Sequence, residues 1–200
     1  MSHPTLAAEV QATLGASLVL GAVSTFGDWL WTHYIPDGAI IPGIAHGVII
    51  FLVIAFVLAA TARREDGADS AAIRRLLWAL PVAGAVIAAS FYPLYMVLGF
   101  LGPLARYLTS LLITWVAMWL VLAWLYAGAS GGHEGTQRTL IRGALAAVGS
   151  GLAFWAISGI WTKAQPGGPN YLWHFACWSF AFLPGFAALF LLQKPEASEP

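Results

Sequence analysis

Long, almost wholly apolar runs alternate along this chain with short breaks that carry most of its charge. A helix that crosses about 30 Å of hydrocarbon needs about 20 predominantly apolar residues. The pattern predicts six such helices, near residues 9–31, 39–62, 73–96, 105–127, 140–161 and 172–193. The third and fourth divide one apolar stretch, Leu76 to Tyr126, interrupted by Arg106; the turn is placed there because Pro93, Gly99, Gly102 and Pro103 lie nearby. The breaks "REDGADSAAIRR" and "AGASGGHEGTQR" read as solvated connectors, the second with Thr136 or Thr139 available as a helix cap. Pro42, Pro81, Pro93 and Pro184 fall within predicted helices, and the carbonyls they free must find partners inside a bundle. The expected fold is all-α, a polytopic six-transmembrane-helix bundle that forms a single domain over residues 1–200.

Composition agrees with that pattern. Hydrophobic residues make up 60% of the chain and charged residues 9%, against roughly 25% charged in soluble domains. The first residues, "MSHPTLAAEV", lack the basic segment of a signal peptide, so the first apolar run is expected to remain as a helix. A single cysteine, Cys177, leaves no intramolecular disulfide and no cysteine-clustered metal site. The formal net charge is zero, which gives no basic surface for nucleic acid. The expected partners are a membrane lipid ligand, another membrane protein or a second copy of this chain.

Charge placement predicts orientation. Arg63, Arg64, Arg74, Arg75, Arg138, Arg142 and Lys194 collect at the termini and in the breaks after spans two and four, against Arg106 and Lys163 on the other side. The positive-inside rule then puts both termini in the cytoplasm. Gly143, Ala147 and Gly151 recur every four residues and predict a helix-packing seam, within the chain or between copies. Trp29, Trp31, Tyr34, Tyr92, Tyr95, Tyr107, Trp161, Tyr171 and Trp173 fall near the outer face, as an aromatic belt does. Trp115, Trp119, Trp155 and Trp178 fall deeper, as packing residues or as the lining of an apolar cleft.

The polar residues of "FGDWLWTHYIPDGAIIPGIAHG", residues 26–47, raise the question of chemistry. On this topology Asp28, His46 and His174 share the outer third of the membrane, with His33 and Asp37 in the connecting loop. Groups at that depth reach interfacial water, so they carry less than the roughly 2.5–3.5 kcal/mol assigned to a mid-membrane Asp. The expected role of Asp28 is a tie to a neighbouring helix or to a helix N-terminal dipole, and that of His46 and His174 interhelical hydrogen bonding. The alternative is a haem- or metal-binding redox protein, with His46 and His174 as axial ligands, or with a metal held by Asp28, His33 and His46. The chain has no HExxH, no GxSxG and no Ser beside a plausible base, so no enzymatic activity is expected. Nearly uncharged helix centres argue against transport of ions or polar substrates.

Three stretches carry a family resemblance: "SGIWTKAQPGGPNYLWHFACWSFAFLPGF" (residues 158–186), "YLTSLLITWVAMWLVLAWLY" in span four and "PGIAHGVIIFLVIAF" in span two. With the six-span plan, they resemble the Insig family of endoplasmic reticulum sterol sensors, in a shorter bacterial-type form. The resemblance implies a bundle that buries a neutral lipid, a sterol or diacylglycerol, between its helices, as a lipid sensor with no cofactor. The loop after span four lacks the family's Asp-Arg pair, so an escort complex is not implied. Candidate lipid-binding residues are Phe26, Asp28, Trp29, His46, Phe51, Trp115, Trp119, Trp155, Phe175 and Trp178.

Overall fold

The computed structural model describes residues 6–34, 40–64, 68–131, 135–158 and 170–192. Asp37, Trp161, Lys163 and Lys194 lie outside the described residues. The chain forms α1 (Leu6–Tyr34), α2 (Ile40–Ala62), α3 (Ser70–Val97), α4 (Pro103–Ala129), α5 (Thr136–Ser158) and α6 (Tyr171–Leu191). All six are long and apolar enough to cross a membrane. Among the described residues there is no strand, and the chain is an all-α, multi-pass integral membrane protein.

Local chemistry sets the helix ends. Asp69 caps α3 by accepting from the Ala71 amide at 2.8 Å, and Asn170 caps α6 by accepting from the Trp173 amide at 3.1 Å. Between α3 and α4 the chain makes a 3-10 turn, Leu98–Phe100, before Gly102 and Pro103 start the next helix. Proline suits that first position because its missing N–H would be unpaired there in any case. Gly131, with φ 70°, takes the left-handed conformation just beyond α4. Thr136 is the first residue of α5, and Thr139 is buried in its first turn, so neither stands at the preceding cap position.

The helices pack in chain order around a ring. α6 packs on α5, α5 on α4, α4 on α3 and α3 on α2, while α1 joins α6 extensively and α2 only lightly. In lipid there is little hydrophobic drive between helices, so close packing and small residues hold them together. A Cβ at Gly47 would lie 2.7 Å from the Ala88 Cβ, and one at Gly84 would meet Phe51 at 2.6 Å, so α2 and α3 are in near-backbone contact. A Cβ at Gly143 would lie 3.0 Å from the Leu120 Cα, and Gly151 sits beside Trp115. The predicted Gly143–Ala147–Gly151 seam therefore faces α4 inside the same chain.

Between α1 and α6, Gly21 lies against the Ser179 hydroxyl and backbone. A Gly21→Ala methyl group would meet Ser179 main-chain atoms at 3.0 and 3.1 Å, and backbone cannot rotate away. Gly21→Ala is expected to destabilise the protein by roughly 1–3 kcal/mol through overpacking. Gly15, on the same helix, has open space around its Cβ position, so Gly15→Ala should be neutral or stabilise by up to about 1 kcal/mol. Reversible unfolding in mixed micelles checks the pair; equal effects at the two sites would contradict this packing.

An aromatic column fills the space between α4, α5 and α6. Trp178, Phe182, Phe186 and Phe190 follow one another at four-residue spacing along α6, with centroids 6.0, 6.3 and 5.6 Å apart. Trp115 and Trp119 of α4 and Phe154 of α5 pack against them. Trp115 also donates from Nε1 to the Ser150 hydroxyl at 3.1 Å.

Arg142 departs from its expected place in a charged break. It is buried within α5 and donates from Nη1 to the Leu189 carbonyl at 2.9 Å. Leu189 lies in the last turn of α6, where carbonyls lack intrahelical partners and a cation complements the helix dipole. Arg63, Arg64, Arg74, Arg75 and Arg138 remain exposed, as a solvated charge cluster requires.

Candidate functional site

The polar residues gather at the end of the bundle formed by the C-terminus of α1 and the N-termini of α2, α4 and α6. Asp28 lies six residues from the end of α1 and His46 six residues from the start of α2, each about 9 Å along its helix. From α6, the His174 Nδ1 is 2.8 Å from the Asp28 Oδ2, and the Trp178 Nε1 donates to the same oxygen at 2.7 Å. A carboxylate only accepts, so the His174 Nδ1 carries the proton of that bond. His174 and Trp178 are four residues apart on one face of α6, which brings both N–H groups to a single acceptor.

Asp28 is thus the polar tie across the α1–α6 seam. It remains partly open: the side chains of Asp28 and His174 keep 27% and 23% of their exposure. Three helices meet at this carboxylate: α1 carries it, α6 ties it, and α2 brings the His46 ring onto the preceding residue, Gly27. On the light α1–α2 contact, the His46 ring is seated directly on Gly27, where any Cβ would overlap the imidazole. That seat buries the His46 Nε2 without a hydrogen-bond partner and leaves Nδ1 as the nitrogen able to meet another group.

An aromatic group links α3 and α4. Phe91 packs against Tyr107 at 5.8 Å and Tyr95 at 6.2 Å. Arg106 donates from Nη2 to the Tyr95 hydroxyl at 2.8 Å, and its guanidinium carbon lies 3.9 Å from the Tyr95 ring centre. This cation–π contact and hydrogen bond accommodate a charge at the rim of an apolar bundle.

The structure brings Asp28, His46 and Trp178 together, while Trp29, the residue after Asp28, packs on Phe26, His33 and Tyr34 instead. Phe26 and Trp155 are 58% exposed on their helices and stand apart from the carboxylate cluster. Phe51 is packed on Gly84, and Trp119 is fully buried in the aromatic column, where Trp115 joins it. Phe175 is half-buried on α6 beside His174. His33 is exposed, with Nδ1 2.8 Å from the Trp29 carbonyl and 3.4 Å from the Tyr171 hydroxyl, so it does not join Asp28 and His46. Among the described residues, no three His, Cys, Asp or Glu side chains come together as a metal site.

Trp178, which the sequence offered as a lipid-lining aromatic, is also the second donor to Asp28. The available signal was the His174/Trp178 spacing, which places two N–H donors on one helical face at the depth of Asp28. Trp178→Phe keeps the ring stacking on Phe154, 4.9 Å away, but removes the indole donor. It is expected to lower stability by roughly 1–2 kcal/mol, toward the lower end for bonds to charged groups because Asp28 is partly open. Mixed-micelle unfolding measures it, and an unchanged stability would show that the indole–carboxylate bond contributes nothing. No family model, curated protein or solved structure matches the chain.

Proposed function

We propose that this protein is a non-enzymatic lipid-binding membrane protein of the Insig type. It takes a neutral lipid, a sterol or a diacylglycerol, with the polar end at Asp28 and the apolar body between helices. The orientation that follows from the exposed arginines has both termini in the cytoplasm and the Asp28 end on the opposite face.

One observation carries the reading: a partly open carboxylate, tied by α6, lies where α1 and α2 make the lightest contact in the ring. A membrane lipid would enter laterally at that seam, where its polar group would meet Asp28 beside the His46 ring seated on Gly27. Ionisable residues within membrane helices commonly mark ligand pathways, and one near the interface can serve there at a lower cost than at mid-membrane. The aromatic column between α4, α5 and α6 is filled by its own side chains, which favours the α1–α2 side for the ligand. The Insig resemblance of the second, fourth and sixth helices supports the same ligand class.

The haem reading has less support. Both imidazoles face α1 residues, His174 through Nδ1 to Asp28 and His46 through Nε2 against Gly27. An axial pair would have to unseat His46.

The test is titration of dioleoylglycerol or cholesterol into detergent-solubilised protein, followed by thermal unfolding. A ligand bound only by the folded state stabilises it by about 2.7 kcal/mol at one hundred times its Kd. A rise in melting temperature that saturates is expected. Flat curves for both lipids, or a Soret band in the purified protein, would overturn the proposal.

A further inference from the structure

Both hydrogen bonds to Asp28 fall on one oxygen, Oδ2. Oδ1 has no protein donor among the described residues, and it is not one of the sealed polar atoms. An ionised carboxylate has about four acceptor positions, two on each oxygen. One oxygen is therefore saturated by α6, while the other is left to a group on the open side of Asp28, whose side chain is 27% exposed.

We propose that Asp28 Oδ1 selects a ligand whose polar end is an alcohol. This rests on the lipid-binding reading above and narrows it to the group the site recognises. An O–H donor gives a charge-assisted bond to Oδ1, the stronger kind of hydrogen bond, and brings no new charge into the bundle. A ketone, ester or ether has only acceptor oxygens, which would face the carboxylate with no proton between them. An ammonium group is the less favoured donor. It must shed a strong hydration shell, and the single carboxylate here is already shared with His174 and Trp178. Selectivity by a buried polar group is steep because the wrong ligand leaves that group unpaired.

The experiment compares matched pairs by native mass spectrometry in mild detergent: 1,2-dioleoylglycerol with its 3-O-methyl ether, and cholesterol with its 3-methyl ether. Each alcohol is expected to bind at least about ten-fold more tightly than its ether, in keeping with the loss of one hydrogen bond to a charged group. Oleylamine is compared with oleyl alcohol, and the alcohol is expected to bind more tightly. Asp28→Asn retains a side chain of the same shape, and its amide nitrogen can occupy the outer position. That variant should compress the alcohol-to-ether ratio to within about two-fold.

Equal binding of alcohol and ether by the unmodified protein would overturn the inference while leaving the lipid reading intact. Preference for oleylamine would overturn it in favour of an ammonium site. Binding of none of these lipids would remove the lipid reading, and the inference with it.

Discussion

Gly185→Ala is expected to destabilise the bundle by roughly 3 kcal/mol, the upper end of what overpacking does in a closed core. The added methyl group would occupy the space held by the outer ring of the Trp119 indole. Trp119 has no exposure and is packed among Trp115, Phe182 and Phe186, so it has no empty rotamer to move into. The strain would pass to the α4–α6 crossing and to the aromatic column. Trp119→Phe removes the colliding atoms, so the double variant should be less destabilised than the sum of the two single changes. A coupling of at least about 1 kcal/mol is expected in the double-mutant cycle, as for residues in direct contact. Strict additivity would mean that Trp119 does not rest on Gly185.

Asp28→Ala should have the second large effect, on both stability and ligand. It leaves the His174 and Trp178 N–H groups without their acceptor, at about 1–3 kcal/mol for such a loss. The partial exposure of the pair keeps the value below that of a fully buried ion pair, because water at the rim solvates the abandoned donors. Ligand retention should fall more steeply than stability, since the polar end loses its acceptor. Asp28→Asn separates the two effects: its amide oxygen can still accept from His174 and Trp178. A near-wild-type stability with lost alcohol selectivity is the expected combination, measured by unfolding and binding on the same preparations.

The six-helix plan was legible because each apolar run exceeds the length needed to cross hydrocarbon and the breaks hold charge, glycine and proline. The α3–α4 turn was legible for the same reason, through Gly99, Gly102 and Pro103. Helical phase was harder to read. A soluble helix marks its buried face by contrast with a polar one, but here both faces are apolar. Phe26 and Phe51 therefore look alike in the sequence, although one is 58% exposed and the other 4% exposed.

Arg142 was misplaced for a related reason. A charge near a helix end reads as solvated, yet this one serves the last turn of α6. That Asp28, His46 and His174 lie near the same end of the bundle followed from counting turns. That Asp28 bonds two α6 donors while His46 rests on Gly27 depends on which helices are neighbours, a property of the ring that the linear pattern does not contain.

The central claim, that the Asp28 cluster is the polar end of a neutral-lipid site, is tested most directly by the lipid that accompanies the protein out of the membrane. The protein and its Asp28→Asn variant would be extracted side by side in mild detergent, checked for monodispersity and analysed by native mass spectrometry. Close to one neutral, hydroxyl-bearing lipid per folded chain is expected in the unmodified protein, and a several-fold lower occupancy in the variant. A folded, monodisperse protein with no bound neutral lipid, or equal occupancy in both forms, would contradict it.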